Sequence, residues 1–227
     1  MKRVLLILAF AVISVMAFAQ EPIKFMGIPV DGAKSVMIQK LKSKGFSYDP
    51  QYSCMHGEFN GKDVNVFIQT NKNKVSRIMV AEASLHSISE IKTEFNNLCY
   101  EFARNPKYAS FDDDQTISES TDIQYEMTVN HKNFDAIFWQ KPENIDSAKI
   151  ASETESVIKN YLSEKGWDIQ TINTEQQNEI LNEVSKYFID NYYSKRQVWF
   201  RICELDGKYY ITLYYDNEYN RPHGEDL

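Results

Sequence analysis

The chain has 227 residues, with 25 Lys and Arg against 32 Asp and Glu, a formal charge of −7 at pH 7. That length holds one large or two small domains. An acidic chain without clustered cations is excluded as a binder of nucleic-acid backbones or of anionic lipid surfaces.

Residues 1–19 have the form of an export leader. Lys2 and Arg3 precede the apolar run from Val4 to Phe18, and Ala17-Phe18-Ala19 is an A-x-A cleavage pattern. The run is too short and too well ended for a membrane span, and no other stretch is long and apolar enough to cross a bilayer. The mature chain is expected to begin at Gln20 and to be exported, to the periplasm or the outside. No Cys follows the cut, so no lipid anchor is expected there. Removing Lys2 and Arg3 leaves 23 basic against 32 acidic residues, a charge of about −9, whose ordinary consequence is solubility. Export also lets two of the three cysteines, Cys54, Cys99 and Cys203, oxidise. Their spacing fits no zinc or CxxC pattern. Cys99 lies on the apolar stripe of a helix, and Cys54 and Cys203 fall on outward strand faces.

In chain order, Ile23 to Met26 reads as a short strand and 32–45 as a helix. Asp31 is placed to cap that helix, Val36, Met37 and Leu41 form its apolar side, and Gly45 stops it. Strands are expected at Phe46–Tyr48, Ser53–Phe59, Lys62–Gln69 and Lys74–Glu82. Asn60-Gly61 is a type I′ hairpin signal. Pairing across it puts Met55 and Phe59 on one face with Val64, Val66 and Ile68. Cys54, His56, Glu58, Asp63, Asn65 and Phe67 take the other.

Ser87-Ile-Ser-Glu90 is a capping box opening a helix with Ile91, Phe95, Leu98, Cys99 and Phe102 at helical spacing, ended by Asn105-Pro106. The Asp112–Asp114 run lacks the alternating ligands of a calcium loop and reads as a solvated loop. Thr121 to Val129 alternates as a strand, with Ile123, Tyr125, Met127 and Val129 inward and Gln124, Glu126 and Thr128 outward. Phe134–Gln140 returns, placing Ala136 and Phe138 inward and Ile137 and Trp139 outward. Two amphipathic helices follow. One runs from Asp146 to Lys165, and one is opened by the capping box Thr174-Glu-Gln-Gln177, so 141–195 reads as a helical insertion. The last strands flank Asp206-Gly207, a second type I′ signal. A two-residue loop pairs Leu205 with Lys208, Ile202 with Ile211, Phe200 with Leu213 and Val198 with Tyr215 on an apolar face. Cys203 with Tyr210, Arg201 with Thr212 and Trp199 with Tyr214 share the other.

No HExxH, GxSxG, P-loop or GxGxxG is present. His56 shares a strand face with Cys54, but two strand positions put them ~7 Å apart, too far for direct activation of the thiol. The end GEDL with Asp216, Asn217 and Asn220 holds enough oxygen ligands to bind calcium weakly, but Asx-turn chemistry and a solvated end explain the same residues and are the favoured reading. No metal, cofactor or catalytic residue is therefore assigned. The candidate binding face is the outer one, with Ile137, Trp139, Trp199, Arg201, Tyr210 and Tyr214. Outer faces of antiparallel sheets usually alternate polar, whereas Trp, Tyr and Arg are the types enriched at binding hot spots. The competing reading is that the inserted helices cover this face as a second core.

The expected fold is α+β: a first helix-plus-four-strand antiparallel unit over 20–84 and a second over 85–227, the second with the helical insertion. This element order resembles the tandem helix-plus-four-strand layout of the β-lactamase-inhibitor-protein fold, and more loosely the small envelope-assembly lipoproteins. The phrases FMGIPVDG, LKSKGF and YYDNEYNRPHGEDL are similar to exported bacterial proteins. The resemblance implies a non-enzymatic, inhibitor-like module that recognises a protein or peptide. A cell-envelope scaffold, contacting partners through the helical pair, and a hydrolase with a site formed only in the fold stay open beside it.

Overall fold

Two tight turns set the strand pairing. Asn60 and Gly61 have φ of +54° and +73°, and Asp206 and Gly207 have +51° and +73°. Positive φ at both central residues is the type I′ pair, whose twist matches that of the flanking strands. The computed structural model describes residues 22–110, 112, 114–141, 143 and 147–222. Residues 1–19, where an export leader is expected, His223, the GEDL end and Asp113 lie outside the described residues.

From the first turn grow β4 (Cys54–Phe59) and β5 (Lys62–Asn71); from the second grow β9 (Gln197–Leu205) and β10 (Lys208–Asp216). Around them lie β1 (Lys24–Phe25), β2 (Ile28–Pro29), α1 (Lys34–Lys42), β3 (Ser47–Asp49), β6 (Lys74–Glu82), α2 (Ile88–Arg104), β7 (Tyr108–Ala109), α3 (Ile123–Thr128) and β8 (Asp135–Gln140). The chain is α+β, with β1 and β2 paired in a small ribbon and eight strands in one antiparallel sheet of order β3-β4-β5-β6-β10-β9-β8-β7. The expected ladder across Asp206-Gly207 is present pair by pair, including Trp199 opposite Tyr214 and Phe200 opposite Leu213. The pairing of β10 with β6, Leu213 opposite Val80 and Tyr214 opposite Met79, joins the strands before α2 to those after it.

One expected strand is a helix. Thr121–Val129 alternates, yet Ile123–Thr128 is α3, capped by the Asp122 side chain, which accepts from the Tyr125 amide at 3.0 Å. The neighbour it would have needed is taken, because β7 pairs with β8 through Tyr108–Gln140 and Ala109–Trp139. Tyr125 and Val129 are exposed while Ile123 is buried in the core and Met127, four residues on, packs against it, so the alternating residues do not share one buried face. Gln124, Glu126 and Thr128 therefore leave the outer sheet face. Smaller corrections concern caps. Asp31 does not cap α1, whose N-cap is Ala33; its carboxylate accepts instead from Asn220 Nδ2 at 2.7 Å. Val36 is 48% exposed rather than on the buried side of that helix. The expected capping box on α2 is formed by Ser87 and Glu90.

The core lies on the helix side of the sheet. Met37 and Leu41 of α1 and Ile91, Phe95, Cys99 and Phe102 of α2 pack with Val64, Val66, Val80, Val198, Phe200, Ile202, Ile211, Leu213 and Tyr215. Phe200 sits among rings, 5.0 Å from Phe95, 5.7 Å from Phe102 and 6.1 Å from Phe138 between centroids. All members of this core lie within 23–138 and 198–215.

Residues 141–194 form a separate compact unit, and residues from 22 to 140 together with those from 195 onward form another. The separate unit is a helix pair, α4 (Ser147–Lys165) and α5 (Thr174–Asn191). Its buried side chains are Ile150, Thr154, Ile158 and Leu162 on one helix and Ile180, Val184 and Phe188 on the other. The box that opens α5 uses Asn173 and Gln176, one residue earlier than the sequence signal at Thr174. Trp139 at the exit of β8 stands opposite Gln197 at the entry of β9, so a short connection can bridge the ends. Replacing 141–194 by a short Gly-Ser linker is expected to keep the antiparallel-sheet circular dichroism and a single cooperative melt. Complete unfolding of that variant would contradict this separation.

Candidate functional site

The antiparallel registers carry two rows of side chains across the face opposite the core. One row runs Asn65, Ala81, Thr212, Arg201, Asp135; the next runs Phe67, Met79, Tyr214, Trp199, Ile137. The two sides of the last hairpin differ sharply in burial. Val198, Phe200, Ile202, Ile211, Leu213 and Tyr215 are 0–5% exposed, whereas Trp199, Arg201, Tyr210 and Tyr214 keep part of their surface in solvent.

Trp199 and Tyr214 stack with centroids 4.0 Å apart and planes 13° from parallel. Two guanidinium groups flank them. Arg77 lies 5.1 Å from the Tyr214 centroid and 5.6 Å from that of Trp199, and Arg201 lies 4.9 Å from that of Trp199. Each arginine is held side-on by a carboxylate. Arg201 donates from Nε and Nη2 to the two oxygens of Asp135 at 2.9 and 3.0 Å. Arg77 donates from Nε to Asp216 Oδ1 and from Nη2 to Asp216 Oδ2, the latter at 2.8 Å. The Trp199 indole N–H donates to the same Oδ2 at 2.8 Å. These bonds push both guanidinium groups further above their ordinary range, and burial raises the Tyr214 hydroxyl. Bidentate Arg–carboxylate pairs fix orientation as well as charge, and cation–π contact adds ~0.5–2 kcal/mol per pair. Both arginines and the Trp199 indole N–H are thus held by carboxylates.

Of the six side chains read from the sequence as a binding face, Ile137, Trp199, Arg201 and Tyr214 meet in these rows. Trp139, opposite Gln197, and Tyr210, opposite Cys203, share the face one step away. Sequence reasoning missed Arg77, Met79 and Asp216, because they join the cluster only through the β6–β10 pairing. It placed Asp216 in a turn-forming tail.

The Cys54–His56 pair is closer than strand spacing implied. The Cys54 thiol lies 3.6 Å from His56 Nε2, because the imidazole reaches along the strand. The same nitrogen lies 3.4 Å from Asp49 Oδ2, so one ring atom faces both groups. Cys54 is 2% exposed. Burial, and then the Asp49 charge, push its thiol up, opposite to the shift that activates a nucleophile. Cys99 is pushed up to about 12 by burial in the α2 core. All three cysteines are free.

On the helix side, Lys62 Nζ donates to Glu82 at 2.6 Å and to Glu94 at 2.5 Å, and Glu82 also accepts the Ile211 amide at 3.0 Å. This knot ties β5, β6, β10 and α2 together. Beside it runs a groove of about 380 Å3 floored by Phe59, Leu98, Phe102, Tyr108, Leu213 and Tyr215. It brings no nucleophile together with a base. Among the described residues no group of three or more His, Cys, Asp or Glu is placed to hold a metal ion, and no helix is long and apolar enough to cross a membrane. Comparison with protein-family models, with curated proteins and with solved structures finds no match.

The thiol environments give a direct check. With iodoacetamide at neutral pH the native protein is expected to label at Cys203, which is partly exposed, much faster than at Cys54 or Cys99. Labelling of Cys54 ahead of Cys203 would mean that His56 activates it.

Proposed function

We propose that this chain is an exported binding module that holds a protein or peptide partner on the outer sheet face around Trp199 and Tyr214. The observation that carries the reading is the preformed stack. Two aromatic rings and two arginines stand partly in solvent on a sheet face, each arginine anchored by its own carboxylate. Trp, Tyr and Arg dominate hot spots because they bury much area at low entropy cost, and anchoring them beforehand lowers that cost further. The leader at 1–19 supports an exported site of action. The element order, resembling the tandem inhibitor-protein layout, supports a protein partner.

The test compares two mutations on opposite faces of β9. Trp199→Ala is expected to weaken capture of partners from envelope extract by ~2 kcal/mol, about thirtyfold in Kd. Its stability loss should stay well below the ~3–5 kcal/mol expected for Phe200→Ala, a core aromatic truncation. The captured bait, expressed with its leader, should begin at Gln20. Equal, large stability losses for both mutations, read by denaturant melts, would remove the binding-face reading. Retention of Lys2 and Arg3 on exported protein would remove the leader assignment.

A further inference from the structure

Next to the aromatic stack, where β5 and β10 end and β6 begins, lies a polar hollow of about 320 Å3 lined by Gln69, Thr70, Ser76, Arg77, Asp216 and Arg221. The register shifts between Gln69 and Thr70, and such a bulge re-aims side chains beside a ladder. The carboxylate and the Asn217 amide oxygen in this hollow are already used. Asp216 takes the two side-on bonds of Arg77 and the Trp199 indole N–H. Asn217, at its floor, donates to Val30 O and accepts from the Tyr219 amide. The groups left over can all donate. Arg77 spends Nε and Nη2 on Asp216, and its Nη1 makes no bond within the described residues. The Thr70 and Ser76 hydroxyls and the Gln69 amide make no side-chain bond there either. Arg221 is tied only to Glu218, at 2.8 Å, and its side chain is 57% exposed, so that pair is weak and readily exchanged.

Arg77 is balanced by Asp216 and Arg221 by Glu218, so an anion entering the hollow gains its charge partner by drawing Arg221 off the exposed Glu218 pair. Arg77 also spans the two features, since it lines the hollow and lies 5.1 Å from the Tyr214 ring centroid. We infer that the hollow receives a carboxylate of the bound partner, a side chain or a chain terminus, with an adjacent aromatic or apolar group resting against Tyr214 and Trp199. The free guanidinium edge and the hydroxyls supply the charge-assisted donors that a carboxylate takes. This inference rests on the outer-face binding proposed above and names the chemistry recognised there.

The experiment uses the mature, full chain labelled with 15N and follows the Trp199 indole N–H, which reports on the hollow through its bond to Asp216. The Trp139 and Trp167 indoles serve as references. 3-Phenylpropionate is expected to shift the Trp199 resonance saturably at millimolar concentration, and 3-phenylpropionamide to act much more weakly. Arg221→Ala, at an exposed position, should leave the spectrum otherwise unchanged and weaken the acid by about two- to fivefold, the size of one surface ion pair. Acid and amide shifting Trp199 equally would overturn the carboxylate while leaving the aromatic face as a binding surface. Inorganic phosphate binding the hollow more tightly than the acid would overturn it as well, as would an acid titration unaffected by Arg221→Ala. No shift of Trp199 by either compound would remove the site altogether.

Discussion

The structure depends on a two-residue loop. With Asp206 and Gly207 both at positive φ, β9 and β10 have one register open to them. A slip of one residue would exchange every side chain between the faces. That register sends Phe200 and Leu213 into the ring cluster under α2 and sends Trp199 and Tyr214 the other way. Because β10 pairs with β6 on its second edge, the same constraint passes to the strands built from the Asn60-Gly61 hairpin. The eight strands then share two faces, one closed by α1 and α2 and one carrying the stack.

Charge placement on the two faces follows different rules. On the helix side, Lys62 bridges the buried Glu82 and the partly exposed Glu94, and Glu82 gains a backbone amide as well. A buried carboxylate without such partners would be costly. On the outer face, Asp216 is nearly buried yet is used to aim Arg77 and Trp199, and Asp135 aims Arg201. These carboxylates position cations and rings that still reach solvent. That is the pattern of a surface organised before its partner arrives.

The local parts of this design were legible in the sequence. The Asp-Gly and Asn-Gly turns, the Ser87 capping box and the alternation along β9 and β10 are short-range signals, and each is realised. Four of the six side chains suspected on the outer face fall in its two central rows for that reason. What was not legible is long-range. Nothing local shows that Tyr214 faces Met79 or that Asp216 faces Arg77, since those strands are separated by two helices, three strands and the helix pair. The 121–129 run misled because alternation was taken alone. Ile123 and Met127 also stand at helical spacing, Asp122 is a competent cap, and the sheet edge it would have needed is filled by β7. The Cys54–His56 distance misled because strand spacing measures backbones, and an imidazole reaches across much of a two-residue gap.

The central claim is that one hairpin divides a closed core from an open aromatic face. It is tested most directly by collisional quenching of Trp199 fluorescence with acrylamide in a Trp139→Phe, Trp167→Phe background, where Trp199 is the sole indole of the chain. The account predicts ready quenching in the free protein, well above that of the same protein with its outer face occupied by a partner. Quenching as low as that of a fully buried indole would contradict it, because the stack would then be a second core.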